Sequence, residues 1–159
     1  LSPVLASEWN VKMLKRIIVL LSVLAMSGCG GVDPDSPLGK RKVIFKEMLN
    51  LSEDLGGMLR GRIAFDEQTF AEKARRLDEI SRQPWQHFDA EAKESKSSAR
   101  DDVWEQRERF MQLARELEGT TALLVQSAQQ QPLNPDALGV RIDVVEKACE
   151  GCHQEFRIY

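Results

Sequence analysis

Five residues concentrate the chemistry of this chain: Cys149, Glu150, Gly151, Cys152 and His153. Two thiols three positions apart share one turn of a helix. There each S–H can add across one vinyl group of the same porphyrin, giving two thioethers to a single ring. The imidazole that follows at once is placed to offer its nitrogen to the iron as an axial ligand. C-x-x-C-H therefore reads as attachment of one covalent haem c through Cys149 and Cys152, with His153 on the metal. Three other chemistries use cysteines this close together. A zinc site needs a fourth ligand, and the chain offers only His87 and scattered carboxylates. A redox-active pair normally opens a helix after a strand, whereas this pair falls near the end of a helical pattern. A disulfide within one helical turn is strained. Arg157 lies four residues after His153, on the same face one turn on. A fixed cation there would disfavour further positive charge on an iron–histidine unit; the competing role is a surface arginine.

These residues need a rigid helix beneath them, and the sequence supplies one. Asn134 is a good N-cap, Pro135 suits the first helical position and Asp136 the first turn. Leu138, Ile142, Val145, Cys149, Cys152 and Phe156 then step by four and three along one face. Three further segments show helical periodicity. Over 38–59 the stripe is Ile44, Met48, Leu51, Leu55, Met58 and Leu59, with Phe45 beside it and Gly61 as a stop. Over 66–82 it is Phe70, Ala74, Leu77 and Ile80, capped by Asp66 and ended by Pro84. Over 101–130 it is Trp104, Met111, Ala114, Leu117, Thr121, Leu124 and Ala128, read as one long helix. The connection 84–100 is polar apart from Trp85 and Phe88, and 91–100 reads as a solvated loop. No segment alternates as a strand does. The expected fold is all-α, an antiparallel four-helix bundle holding haem c.

The 159 residues carry 22 basic and 25 acidic side chains, a net charge of −3. That balance lacks the basic excess of a nucleic-acid binder. Only 6% of residues are aromatic, a thin supply for a core that a buried porphyrin would help to fill. The third cysteine, Cys29, stands apart from the other two. It follows a basic start (Met13-Leu14-Lys15-Arg16) and an apolar run over 17–26, short of the ~20 residues that span a bilayer. We read 1–28 as a signal peptide with translation starting at Met13, 29–37 as a flexible tether, and 38–159 as the bundle. Met26-Ser27-Gly28-Cys29 resembles a lipobox with Met where Leu is usual, which would place a lipid on Cys29. Ala25-x-Ser27 also fits ordinary cleavage after Ser27, and a buried N-terminal helix is a third reading. The first two imply export to the periplasm of a bacterium, with membrane contact only through the lipid anchor. Gly30 in place of Asp after Cys29 favours the outer membrane.

Beyond the haem motif, the chain resembles the cytochrome c′ family, the class II c-type cytochromes. Members commonly end C-x-x-C-H-x-x-F/Y-R, as Cys149, Cys152, His153, Phe156 and Arg157 do here. They carry an Arg in the first helix with the haem-facing residue four positions later and a Gly at the helix end, matching Arg41, Phe45 and Gly61. Phe65-Asp66, Pro84-Trp85, Phe88 and Trp104 are also similar, so the resemblance spans 38–159. It implies a haem pocket that includes Arg41, Phe45, Met48, Phe156 and Arg157. Where a low-spin branch of the family places a ligating Met, this chain has Phe45, which cannot coordinate. The resemblance thus implies five-coordinate, high-spin iron whose apolar cover excludes anions and water but admits NO and CO. It also implies electron exchange with an unidentified redox partner and homodimers through the first two helices as a common arrangement. The sequence shows no acid/base pair or nucleophile arrangement, so no enzyme chemistry is expected. Two alternatives stand beside this. Met48, three residues beyond Phe45, could be a sixth ligand in a low-spin electron carrier, its bland role being core filler. Alternatively, the chain is a non-haem helical lipoprotein that acts as an interaction module. His87 reads as a surface histidine rather than an iron ligand.

Overall fold

A computed structural model describes residues 31–89 and 96–159. The expected signal peptide, the start at Met13 and the lipid site at Cys29 lie outside the described residues, as does part of the 91–100 loop.

Helix α1 (Pro37–Leu59) starts at Ser36, whose hydroxyl accepts from the Gly39 amide at 3.0 Å. That hydroxyl also donates to the Asp33 carbonyl at 2.7 Å, and the Asp35 amide donates to Asp33 Oδ1 at 2.9 Å. The segment expected as a free tether is therefore turned from Asp33 onward. The turn lies so close to the helix that a Cβ on Gly39 would collide with the Asp33 carbonyl and Pro34. At its other end α1 stops as expected at Gly61, whose φ of +73° is the left-handed conformation that glycine adopts without a Cβ clash.

Helix α2 (Glu67–Ser81) is capped by Asp66, which accepts from the Thr69 amide at 2.7 Å. It buries the four expected residues, Phe70, Ala74, Leu77 and Ile80. A single 3₁₀ turn, Pro84–His87, follows and carries Trp85 into the interior with Phe88 just beyond it.

The long third helix expected over 101–130 is broken. A four-residue helix α3 (Asp102–Glu105) ends at Gln106, whose φ of −111° and ψ of 46° are not helical, and α4 (Arg107–Ala128) starts afresh. The break lets side chains on either side of it reach loop carbonyls. Trp104 Nε1 donates to Asp89 O at 2.8 Å, and the Arg107 guanidinium donates to Phe88 O at 3.1 Å. The buried stripe shifts with it: Val103 and Phe110 are buried where Trp104 and Met111 were expected, and those two are only half-buried.

Helix α5 (Pro135–Phe156) has the expected cap, Asn134 Oδ1 accepting from the amides of Asp136 and Ala137. The four long helices form a ring of neighbours, α1 against α2, α2 against α4, α4 against α5 and α5 against α1. The bundle core runs through all of them, and the described residues contain no strand beyond an isolated bridge between Ala99 and Arg157. Within the described residues every buried side-chain polar atom has a hydrogen-bond partner, as a well-packed interior requires.

Candidate functional site

The last two turns of α5 carry Cys149, Cys152 and His153, all half-buried. Both cysteines pack against the core and neither is in a disulfide. Burial pushes each thiol up to about 11. The Glu146 charge adds to the effect at Cys149; at Cys152 the neighbouring Cys149 and Glu155 add while Arg109 opposes. Burial, and secondarily the Arg157 guanidinium, hold the His153 imidazole below its ordinary value. At neutral pH the site therefore presents two protonated thiols and a neutral imidazole with a free lone pair, the form that binds metals.

These properties choose among the chemistries open to two close cysteines. A redox pair lowers a thiol pKa; here both rise. Among the described residues no group of three His, Cys, Asp or Glu side chains could hold a metal ion. Two uncharged thiols on one helical turn, beside a neutral imidazole and against an apolar interior, fit a covalently bound porphyrin.

The surroundings are aromatic. Phe156, one turn past Cys152, meets Phe110 of α4 at 5.3 Å between ring centroids. Phe110 meets Phe88 at 4.9 Å and Trp85 at 5.8 Å. Both of those rings meet Phe45 of α1, at 6.2 and 6.0 Å, edge-to-face. Phe45 is half-buried and Phe156 buried; Met48 is buried in the core at 5% exposure. Arg41, also expected in the pocket, is 2% exposed. Its guanidinium donates to His87 O at 2.8 Å and Ser97 Oγ at 3.1 Å, and lies 4.6 Å above the Phe88 ring. Arg41 thus fastens α1 to the connection that carries Trp85 and Phe88, and His87 enters through its backbone carbonyl. Arg157 is exposed, its guanidinium 5.6 Å over the Tyr159 ring.

Residues 96–100, expected as solvated loop, are docked on the end of α5. The Arg100 amide donates to Phe156 O at 2.9 Å and the Ile158 amide to Ser98 O at 2.8 Å, on either side of the Ala99–Arg157 bridge. Pattern reading also missed Phe110, although counting back by four and three from Ala128 through Leu124, Thr121, Leu117 and Ala114 lands on it. It missed Glu118, whose carboxylate accepts from Trp85 Nε1 at 2.7 Å, because a lone charge beside an apolar stripe carries no periodic signal.

The family model described as Cytochrome C′ matches residues 36–157, which covers α1 to α5 and the whole candidate site. The chain belongs to the cytochrome c′ family. Proteins of this family bind one covalent c-type haem, transfer electrons or bind gases, and are periplasmic in bacteria. A cytochrome c′ of Halomonas halodenitrificans is 29% identical over 111 residues, spanning 65% of this chain and 81% of its own. Cytochrome c prime from Shewanella frigidimarina superposes with a TM-score of 0.74 at 21% identity, over 82% of this chain and 100% of that one. A nitric oxide complex of a variant cytochrome c prime from Alcaligenes xylosoxidans gives 0.71 at 19% identity, over 79% and 98%. The four-helix bundle expected from the sequence is thus the cytochrome c′ fold.

Proposed function

We propose that this chain is an exported cytochrome c′ whose haem is held by Cys149 and Cys152, with His153 as the one protein ligand to iron. The placement of the two thiols and the neutral imidazole within five residues near the end of α5, facing an aromatic interior, carries this reading. When bound, the haem supplies a one-electron couple and an open coordination position for a small diatomic. The protein's own contribution is mostly to select. Phe45 has no donor atom, and the Trp85 and Phe88 rings hold it in place. An apolar cover without hydrogen-bond donors gives no stabilisation to anions or water, while NO and CO are admitted. Arg41 and Phe156 keep the pocket walls together, and Arg157 disfavours added positive charge near His153. Gas binding and electron exchange by the same five-coordinate haem follow, without enzyme chemistry. The nitric oxide complex and a carbon monoxide-bound variant from Alcaligenes xylosoxidans agree with the choice of ligands.

The absorption spectrum of the ferrous protein with and without NO and CO tests this. A high-spin spectrum that changes on adding either gas is expected. A methionine–iron charge-transfer band in the ferric protein would assign Met48 as sixth ligand instead. Loss of the haem on acid–acetone extraction would overturn covalent attachment. Export is proposed through a signal peptide over 1–28 and a lipid on Cys29. Cys29→Ser should then move the protein from the membrane to the soluble periplasmic fraction, and an unchanged distribution would favour cleavage after Ser27.

A further inference from the structure

Trp85 connects the haem-facing end of α1 to a polar cluster between α2 and α4. Its ring is edge-on to Phe45 at 6.0 Å and 66°, and to Phe110 at 5.8 Å and 80°. It is 7% exposed, and a buried indole N–H needs an acceptor. Glu118 Oε1 provides it at 2.7 Å, a hydrogen bond strengthened by the carboxylate charge. The carboxylate is itself held. Its other oxygen is 3.4 Å from the Arg82 guanidinium, which donates at 2.8 Å to Asp78 Oδ1. Thr121 Oγ1 donates to the same Asp78 oxygen at 2.8 Å and lies 3.2 Å from Ser81 Oγ. Ser81 and Thr121 are fully buried and anchor the inner side of this cluster between two helices, while Asp78 and Glu118 are 22% exposed and Arg82 covers them from solvent. Trp85 sits on a four-residue 3₁₀ turn, and so short an element does little by itself to fix the direction of a large ring.

We propose that Glu118 is a positioning residue for the gas-binding pocket: by holding the Trp85 indole it sets where the Phe45 ring lies, and so how far Phe45 closes the iron's open position. The proposal rests on the reading of Phe45 given above. Glu118 acts through two intervening rings, and its effect should appear as a change in access to the iron with the haem still attached.

The test uses the haem-loaded protein and four variants, Phe45→Ala, Glu118→Ala, Glu118→Gln and Trp85→Phe, read by CO association rate, thermal unfolding and NMR. Phe45→Ala should speed CO association by tenfold or more, about the effect of losing one well-packed apolar cover. Glu118→Ala should speed it by about three- to tenfold, the loss of one charge-assisted hydrogen bond passed on only in part. Trp85→Phe keeps a ring without the N–H and should follow Glu118→Ala, which also covers the case of Glu118→Ala failing to fold. Glu118→Gln keeps an acceptor and should stay near the wild-type rate. In the diamagnetic ferrous CO complex, the indole N–H resonance of Trp85 should move upfield in Glu118→Ala and stay in place in Glu118→Gln. A Glu118→Ala protein that is less stable but binds CO at the wild-type rate, while Phe45→Ala binds faster, overturns the positioning role alone. Glu118→Gln behaving as Glu118→Ala overturns it too, since charge rather than the indole contact would then act. An unchanged rate in Phe45→Ala overturns the reading of Phe45 and the proposal with it.

Discussion

The two ends of the bundle are built from different materials. At one end Phe45, Trp85, Phe88, Phe110 and Phe156 meet ring to ring beside Cys149, Cys152 and His153. At the other, Leu55, Leu124, Leu138 and Ala128 are buried with Phe70 in a mostly aliphatic part of the core, while exposed ion pairs from Arg60 to Asp143 and Glu146 tie the end of α1 to the middle of α5. The aliphatic end can be close-packed by the chain's own side chains. The aromatic end presents flat faces suited to a flat partner, with the buried Arg41 guanidinium stacked over the Phe88 ring. Five of the ten aromatic residues of the chain stand where they can line a haem pocket. The difference between the ends separates what holds the fold from what shapes the site.

Five variants would break or sharpen that contrast. The largest effect is expected from replacing Cys149 and Cys152 together by Ala, which should remove all haem that survives acid–acetone extraction, checked by the pyridine–alkali spectrum. Next come core truncations at the two ends. Leu55→Ala and Phe70→Ala remove fully buried side chains and should each cost about 2–5 kcal/mol in denaturant unfolding, leaving the CO association rate as it was. Phe110→Ala should cost about as much stability and in addition change CO kinetics, because its ring touches Trp85, Phe88 and Phe156. Equal CO kinetics in all three would erase the contrast. Arg60→Gln should cost much less. Its partners are 38% and 58% exposed on their side chains, so about 0.2–1 kcal/mol is expected at low salt, shrinking as salt is added.

The smallest effect is a pH dependence at the start of α2. The Thr69 side chain and amide hold the Asp66 carboxyl below its ordinary 3.8. A depressed folded-state value means that the carboxylate adds stability above the unfolded value. That contribution is lost as pH falls below about 3.8 through the lower folded-state value. Asp66→Asn keeps a capping oxygen but cannot titrate. The difference in melting temperature between wild type and variant should therefore shift over that acid window and stay flat above it.

Much of this was readable from residue type and spacing. Asp66 with Phe70, Ala74, Leu77 and Ile80, and Asn134 with the stripe from Leu138 to Phe156, carry both a cap and a period, so α2 and α5 came out within a residue or two. The C-x-x-C-H triplet was legible because its chemistry depends on sequence neighbours alone. The break at Gln106 was not, because an apolar stripe can be followed straight across it. It goes with tertiary contacts: Trp104 and Arg107, on either side of it, donate to the carbonyls of Asp89 and Phe88. Ser97 to Arg100 was unreadable for a related reason, since backbone pairing with the end of α5 leaves no mark on polar side chains. Arg41 was singled out for the pocket, but what it does there, clasping His87 O and Ser97, depends on contacts far apart in sequence.

The pairing between 98–100 and 156–158 has a consequence for how the molecule breathes. The amide hydrogens of Arg100 and Ile158 are held by carbonyls across that seam, so they exchange with solvent only when the seam parts. Arg157 beside them donates to the His153 carbonyl within the end of α5, a bond that parting of the seam alone leaves in place. Hydrogen–deuterium exchange at these two amides therefore clocks the opening of the end that carries Cys149, Cys152 and His153. Comparing it with exchange in the middle of α2 distinguishes a local lifting of that end from unfolding of the whole bundle.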